Sequence, residues 1–120
     1  MNKRERIGQI PLFAGLTAVE LEALAAPSVE KHYSAGETLF HEGAPCEGVY
    51  LILEGRVKIF KTSPSGREIT LAIETAPSNV AEVPLFDGGS YPASVQAIGN
   101  ATVAFLNTSA FQRVCREHPQ

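Results

Sequence analysis

The chain has 120 residues, of which 44% are hydrophobic and 19% charged. That is the size and make-up of a single globular domain able to bury a core without staples, and it excludes wholesale disorder. Lys plus Arg total 10 against 13 for Asp plus Glu, a net charge of −3, so the basic footprint of a dedicated nucleic-acid binder is missing.

Cys46 and Cys115 are the only cysteines, and they form no C-x-x-C. This excludes a sequence-local zinc site, a disulfide-dense scaffold and a four-thiolate iron–sulfur cluster. The N-terminus is charged (Lys3, Arg4, Glu5, Arg6), and the apolar run after it is interrupted by Pro11 and Gly15. No stretch approaches the roughly 20 apolar residues of a membrane span, so a cytoplasmic address with no membrane contact is expected.

In chain order, Ile10 to Leu16 reads as an apolar linker packed on the domain body. Thr17-Ala18-Val19-Glu20 is a capping box: the Thr17 hydroxyl can accept from the third amide of a helix, and Glu20 can reach back. Leu16, Val19, Leu21, Leu24 and Ala25 follow near helical spacing, predicting a helix from about Thr17 to Ala26, stopped by Pro27.

From Val29 to Asn107 the pattern changes to β. Gly, Pro, Asn and Ser recur roughly every 8–12 residues, the rhythm of short strands. Gly48 to Glu54 is an apolar run of strand length, and Glu54-Gly55 reads as a turn. Arg56 to Lys61 then alternates, with Val57 and Ile59 on one side. Thr62 to Gly66 reverses the chain. Ile69, Leu71 and Ile73 are expected on a single inward face, with Ile59 opposite Ile69 and Val57 opposite Leu71. Two further strands, 93–97 and 101–107, are joined at Gly99-Asn100. Thr108 offers an N-cap for a last helix from Ser109 to about Glu117, carrying Phe111 and Val114 inward. About eight short strands with helices at the ends predict a rolled-up antiparallel β domain, with a sandwich or a jelly roll as alternatives.

The residues Tyr33-Ser-Ala-Gly36-Glu37-Thr-Leu-Phe40, Glu42-Gly43-Ala44, and Val49-Tyr-Leu-Ile-Leu-Glu54-Gly55-Arg56-Val57-Lys58 resemble the cyclic-nucleotide-binding domain of Crp/Fnr-type transcription regulators. Ala81-Glu82-Val83-Pro84-Leu85-Phe86-Asp87-Gly88, followed by Pro92 to Ala97, is similar to that family's phosphate-binding cassette. The likeness runs from about Ile10 to about His118. It implies a mainly β fold, a double-stranded β-helix (jelly roll), with short N-terminal helices (about 3–27), a β-roll (about 28–107) and the start of a C-terminal helix (108–120). It also implies a homodimer formed through the continued C-terminal helix. DNA would be bound only by a downstream helix-turn-helix domain, for which this chain contains no element.

In cyclic-nucleotide binders of the family, a Gly-Glu pair admits the ribose phosphate, a short helical turn aims amides at it, and an Arg followed by a small residue pairs with its charge. Here Glu82 keeps the acid, Ala81 stands at the Gly, Pro77 at a further turn Gly, and Tyr91, followed by Pro92, at the Arg. No Arg or Lys occurs between Arg67 and Arg113. Loss of that Arg alone is expected to weaken phosphate binding by about 2–5 kcal/mol, roughly 30- to 4000-fold. The chain is therefore expected to sense something other than cyclic AMP or cyclic GMP. The residues expected to line the effector site are Ile59, Leu71, Ala81, Glu82, Val83, Pro84, Leu85, Tyr91, Pro92, Ala93 and Ser94. Their occupant is a small-molecule effector, a haem, or the domain's own side chains.

Other candidates read as structural. His32, His41 and His118 form no H-x-H pair, which argues against a metal-dependent cupin enzyme. Cys46 is expected in an exposed loop, its thiolate discouraged by Glu42 and Glu47. Arg56, Lys58, Lys61 and Arg67 read as a solvated hairpin face balanced by Glu54 and Glu68. No serine has a nucleophile setting, so the chain is not expected to be an enzyme.

Overall fold

The computed structural model describes residues 2–80 and 89–117. Helix α1 (Lys3–Gly8) is started by Asn2, whose side chain accepts from the Glu5 N–H at 2.8 Å while Glu5 reaches back to the Asn2 amide. The expected linker forms a 3-10 turn, Pro11–Phe13, that buries Phe13. Helix α2 (Ala18–Ala25) has the predicted capping box: Thr17 Oγ1 accepts from the Glu20 N–H, and Glu20 accepts from the Thr17 N–H at 2.9 Å. Leu24 and Ala25 face the core, and Val19 faces out.

Six strands follow: β1 (Val29–Tyr33), β2 (Thr38–Phe40), β3 (Gly48–Thr62), β4 (Glu68–Thr75), β5 (Ser78–Val80) and β6 (Ser94–Asn107). They form one antiparallel sheet in the order β1-β6-β3-β4, with β2 also on β6 and β5 also on β3. The fold is the expected mainly β roll. Among the described residues the strand count is lower than expected because Glu54-Gly55 and Gly99-Asn100 are not turns. The long strands β3 and β6 run through both points, paired from Gly48↔Asn107 to Phe60↔Ser94, and bulges around Glu54 bend them together. Gly55 has φ +87°, and a Cβ there would run into the backbone of Asn100 and Ala101. Glycine is required by both the left-handed conformation and the close approach.

The apolar run Val49–Leu53 reads as continuous because both of its faces are covered. Val49, Leu51 and Leu53 pack with Leu106 against Ile7, Ile10, Phe13, Leu24 and Phe111. Tyr50 and Ile52 point into the roll with Phe40, Val57, Tyr91, Val95 and Val103. Leu51 and Ile52 are wholly buried, each stabilising by roughly 1.5–3 kcal/mol.

Two expectations are corrected. The β3–β4 register is Lys61↔Ile69, Ile59↔Ala72 and Val57↔Glu74, with a bulge between Ile59 and Phe60 that leaves Leu71 without a partner. The connecting loop closes wider than expected, with the Ser63 N–H donating to the Arg67 carbonyl and the Gly66 N–H to the Ser63 carbonyl, each at 2.8 Å. The last helix, α3, spans Thr108–Glu117. Its first turn is capped by Asn107, whose Oδ1 accepts from the Ala110 N–H at 2.8 Å, and the Thr108 hydroxyl is buried without a partner among the described residues. Asn107 reaches farther than Thr108 from one residue earlier, so it takes the capping position.

Candidate effector site

Among the expected site residues, Ala81, Glu82, Val83, Pro84 and Leu85 lie outside the described residues. The rest divide by the sheet's pleat. Ile59 sits half-buried beside the inner cluster, and Tyr91, Ala93 and Ser94 are buried. Pro92 is exposed. Leu71 is 53% exposed and does not line the interior, a correction that follows from the bulge at that residue. Ile69 lies beside Lys61 and Ile73 beside Lys58, an odd number of positions apart on β3, so the bulge sends the two isoleucines to opposite faces. Both remain about half exposed. On β4, Ala72 stands opposite Ile59 and Glu74 opposite Val57, where the Glu74 carboxylate accepts from the Ser78 hydroxyl at 2.8 Å.

Tyr91, expected from the sequence resemblance at the place of the family's Arg, is only 4% exposed. Its ring stacks on Phe40 with centroids 3.9 Å apart. Its hydroxyl accepts from the Glu47 N–H at 3.1 Å and donates to the Gly48 carbonyl at 3.2 Å. Burial raises its pKa, with the Glu47 amide pulling the other way. Phe40 also leans on Tyr50, and Tyr50 on Phe105, so aromatic rings occupy much of the interior. Tyr50 donates to the Leu39 carbonyl at 3.2 Å, and burial pushes its pKa well above the ordinary value.

The Ser94 hydroxyl accepts from the Glu42 N–H at 2.8 Å. The Glu42 carboxylate in turn stands 3.7 Å from Lys61 Nζ. A basic side chain thus reaches the neighbourhood of Ser94 from a distant part of the sequence, already paired with an acid. Spacing alone could not show this, because it depends on the strand pairing of Phe60 with Ser94. The other hairpin cations are dispersed. Lys58 pairs with Glu68 and stacks its ammonium 5.1 Å from the Phe60 ring, while Glu54 pairs with Arg6 instead of Arg56.

His32 lies on exposed β1, 3.1 Å from Glu30, and His41 is exposed, so neither is directed into the roll. His118 is outside the described residues. Among the described residues, no group of three or more His, Cys, Asp or Glu could hold a metal ion. Cys46 is half-buried rather than exposed, packs against both core clusters, and donates to the Gly48 carbonyl at 3.7 Å. Among the described residues, no helix is long and apolar enough to cross a membrane.

The described residues thus form an antiparallel β-roll with a short helical arm before it and a helix after β6. Residues 30–118 match the family model described as a cyclic nucleotide-binding domain, and the chain belongs to that family. Its relatives include CRP-like transcriptional regulators and, over 72% of this chain and 6% of that protein, Lysophospholipase nte1 of Aspergillus niger at 27% identity. The chain is 27% identical over 116 residues to a CRP-like cAMP-activated global transcriptional regulator of Mycobacterium tuberculosis, covering 97% of this chain and 52% of that protein. The chain therefore spans about half the length of this relative. Among solved structures, the N-terminal domain of a transcriptional regulator from Streptomyces coelicolor A3(2) superposes with a TM-score of 0.83 at 34% identity, over 95% of this chain and 80% of that one. The sensor domain of the transcriptional regulator DNR from Pseudomonas aeruginosa superposes with a TM-score of 0.86 at 27% identity, over 95% and 77%.

Proposed function

We propose that this chain is the effector-sensing domain of a Crp/Fnr-type transcription regulator and that its signal is not cyclic AMP or cyclic GMP. The observation that carries this reading is Tyr91. At the position aligned with the phosphate-binding Arg stands a buried, neutral side chain whose hydroxyl is committed to Glu47 and Gly48. Lys61, which reaches the same neighbourhood, is paired with Glu42. An anion seated there would lack the charged fork that normally offsets its desolvation. A small organic effector of low charge suits the site better. The domain is not an enzyme in this reading. Effector binding would bias α3, which would continue into a homodimer interface and set a DNA-binding domain elsewhere in the whole protein.

Isothermal titration with cyclic AMP and with cyclic GMP tests the reading directly, since the Mycobacterium tuberculosis relative is named as cAMP-activated. The expected outcome is no saturable binding tighter than about 10 μM, against the micromolar scale of a physiological ligand. Tighter binding of either nucleotide overturns it. The packed aromatic interior favours a second reading, a non-sensing interaction scaffold. Native mass spectrometry of the whole protein separates the two, because a sensor purifies with or captures a small molecule. A Soret band in the same sample would identify a haem.

A further inference from the structure

We propose that the Tyr91 hydroxyl is a positioning group that ties the 89–91 segment to the first turn of α3 through residue Glu47. This rests on the sensory reading above and adds the route by which the site addresses the helix. Residues 89–91, which run between Gly88 and Pro92, are laced to the loop between β2 and β3. The Cys46 N–H donates to the Gly89 carbonyl at 3.3 Å, the Tyr91 N–H to the Ala44 carbonyl at 2.9 Å, and the Gly43 N–H to the Tyr91 carbonyl at 2.9 Å. Pro45 and Ser90 form a β-bridge between them.

The same loop holds the helix. The Glu47 N–H donates to the Tyr91 hydroxyl, and the Glu47 carbonyl accepts from the Thr108 N–H at 3.0 Å. Gly48, whose carbonyl receives the Tyr91 proton, pairs with Asn107, the residue that caps α3. One residue, Glu47, thus holds the 89–91 segment through its N–H and the helix start through its carbonyl. There is no slack at this joint. A Cβ at Gly48 would enter the Leu106 carbonyl and the Phe105 ring, and the Tyr91 ring is held by its stack on Phe40. Close-packed, directly bonded groups pass on a displacement that a hydrated gap would absorb.

Amide hydrogen exchange followed by NMR on the full chain tests this without a ligand. Tyr91→Phe keeps the ring and removes the hydroxyl. We expect exchange at both Glu47 and Thr108 to accelerate about fivefold or more, the loss of one hydrogen bond, with Leu51 and Val103 unchanged. Acceleration at Glu47 alone overturns the relay, as does a uniform acceleration of all amides. Pro45→Gly, which loosens the same loop and leaves the hydroxyl in place, should accelerate Thr108 less than Tyr91→Phe does. An equal or larger effect also overturns the assignment. A negative result retires the relay and leaves the sensory reading to the titration.

Discussion

The ring of Tyr91 lies on that of Phe40, with centroids 3.9 Å apart and planes 21° from parallel. Phe40 comes from the short strand β2 and Tyr91 from the approach to β6, so the stack closes the roll where β2 and β6 meet at Phe40↔Val95. Phe40→Ala removes the stack and its contact with Tyr50. It should cost about 3–5 kcal/mol, the range for deleting a buried aromatic ring. Urea unfolding measures this, and a loss under about 1 kcal/mol would show that the stack contributes little to closing the roll.

Gly55 makes a second, independent demand. It has φ +87°, and its α-carbon faces the backbone of Asn100 with no space for a methyl group. Gly55→Ala should destabilise by at least about 2 kcal/mol, since strain and overpacking act together. Gly66 also has a positive φ but open space around it, so Gly66→Ala should cost clearly less. Equal losses at the two positions would mean that backbone strain alone decides.

The β pattern, the capping box at Thr17 and the reversal near Ser63–Gly66 were legible because each depends on neighbours in sequence, whereas Glu54-Gly55 and Gly99-Asn100 read as turns because only the pairing of β3 with β6 carries the strands through them. The face of β4 was not, because a bulge depends on the partner strand and a one-residue slip turns side chains over. Leu71 therefore reads as interior from its alternation and stands outside in the fold. The site was legible in part for the same reason. That no Arg or Lys lies between Arg67 and Arg113 is visible in the sequence. The bonds of Tyr91 to Glu47 and Gly48, and the approach of Lys61 through Glu42, require the third dimension. Leu71→Ser checks the correction: exposed positions usually shift stability by under about 0.5 kcal/mol, whereas a core lining residue would cost several times more.

Thr108 supplies a gain instead of a loss. Its hydroxyl is buried with no hydrogen-bond partner among the described residues, while Asn107 already caps the helix. An unsatisfied buried polar group costs about 1–3 kcal/mol. Thr108→Val keeps the shape and removes that group, so the melting midpoint should rise. Asn107→Ala, which deletes the cap in use, should lower stability by about 1 kcal/mol. If Thr108→Val is the more damaging of the two, the hydroxyl has a role that the helix start does not reveal.

The buried phenols also set how the fold responds to alkali. Burial raises the pKa of Tyr50, chiefly by desolvation with Tyr91 nearby, and raises those of Tyr91 and Tyr33 too. In the unfolded chain a tyrosine ionises near its ordinary value of about 10. Below that pH both states hold the proton and the full stability is present. Above it the unfolded state releases protons that the native state retains, so stability falls as pH rises toward the raised native values. Tyr50→Phe removes one such group along with its bond to the Leu39 carbonyl. The variant should start about 1 kcal/mol less stable near neutral pH and then lose stability less steeply than the wild type above pH 10 or so. Chemical unfolding at a series of pH values from 8 to about 11 reads both effects. Parallel curves for the two proteins would show that Tyr50 ionises as easily folded as unfolded, against its enclosure by Phe40, Phe105 and the Leu39 carbonyl.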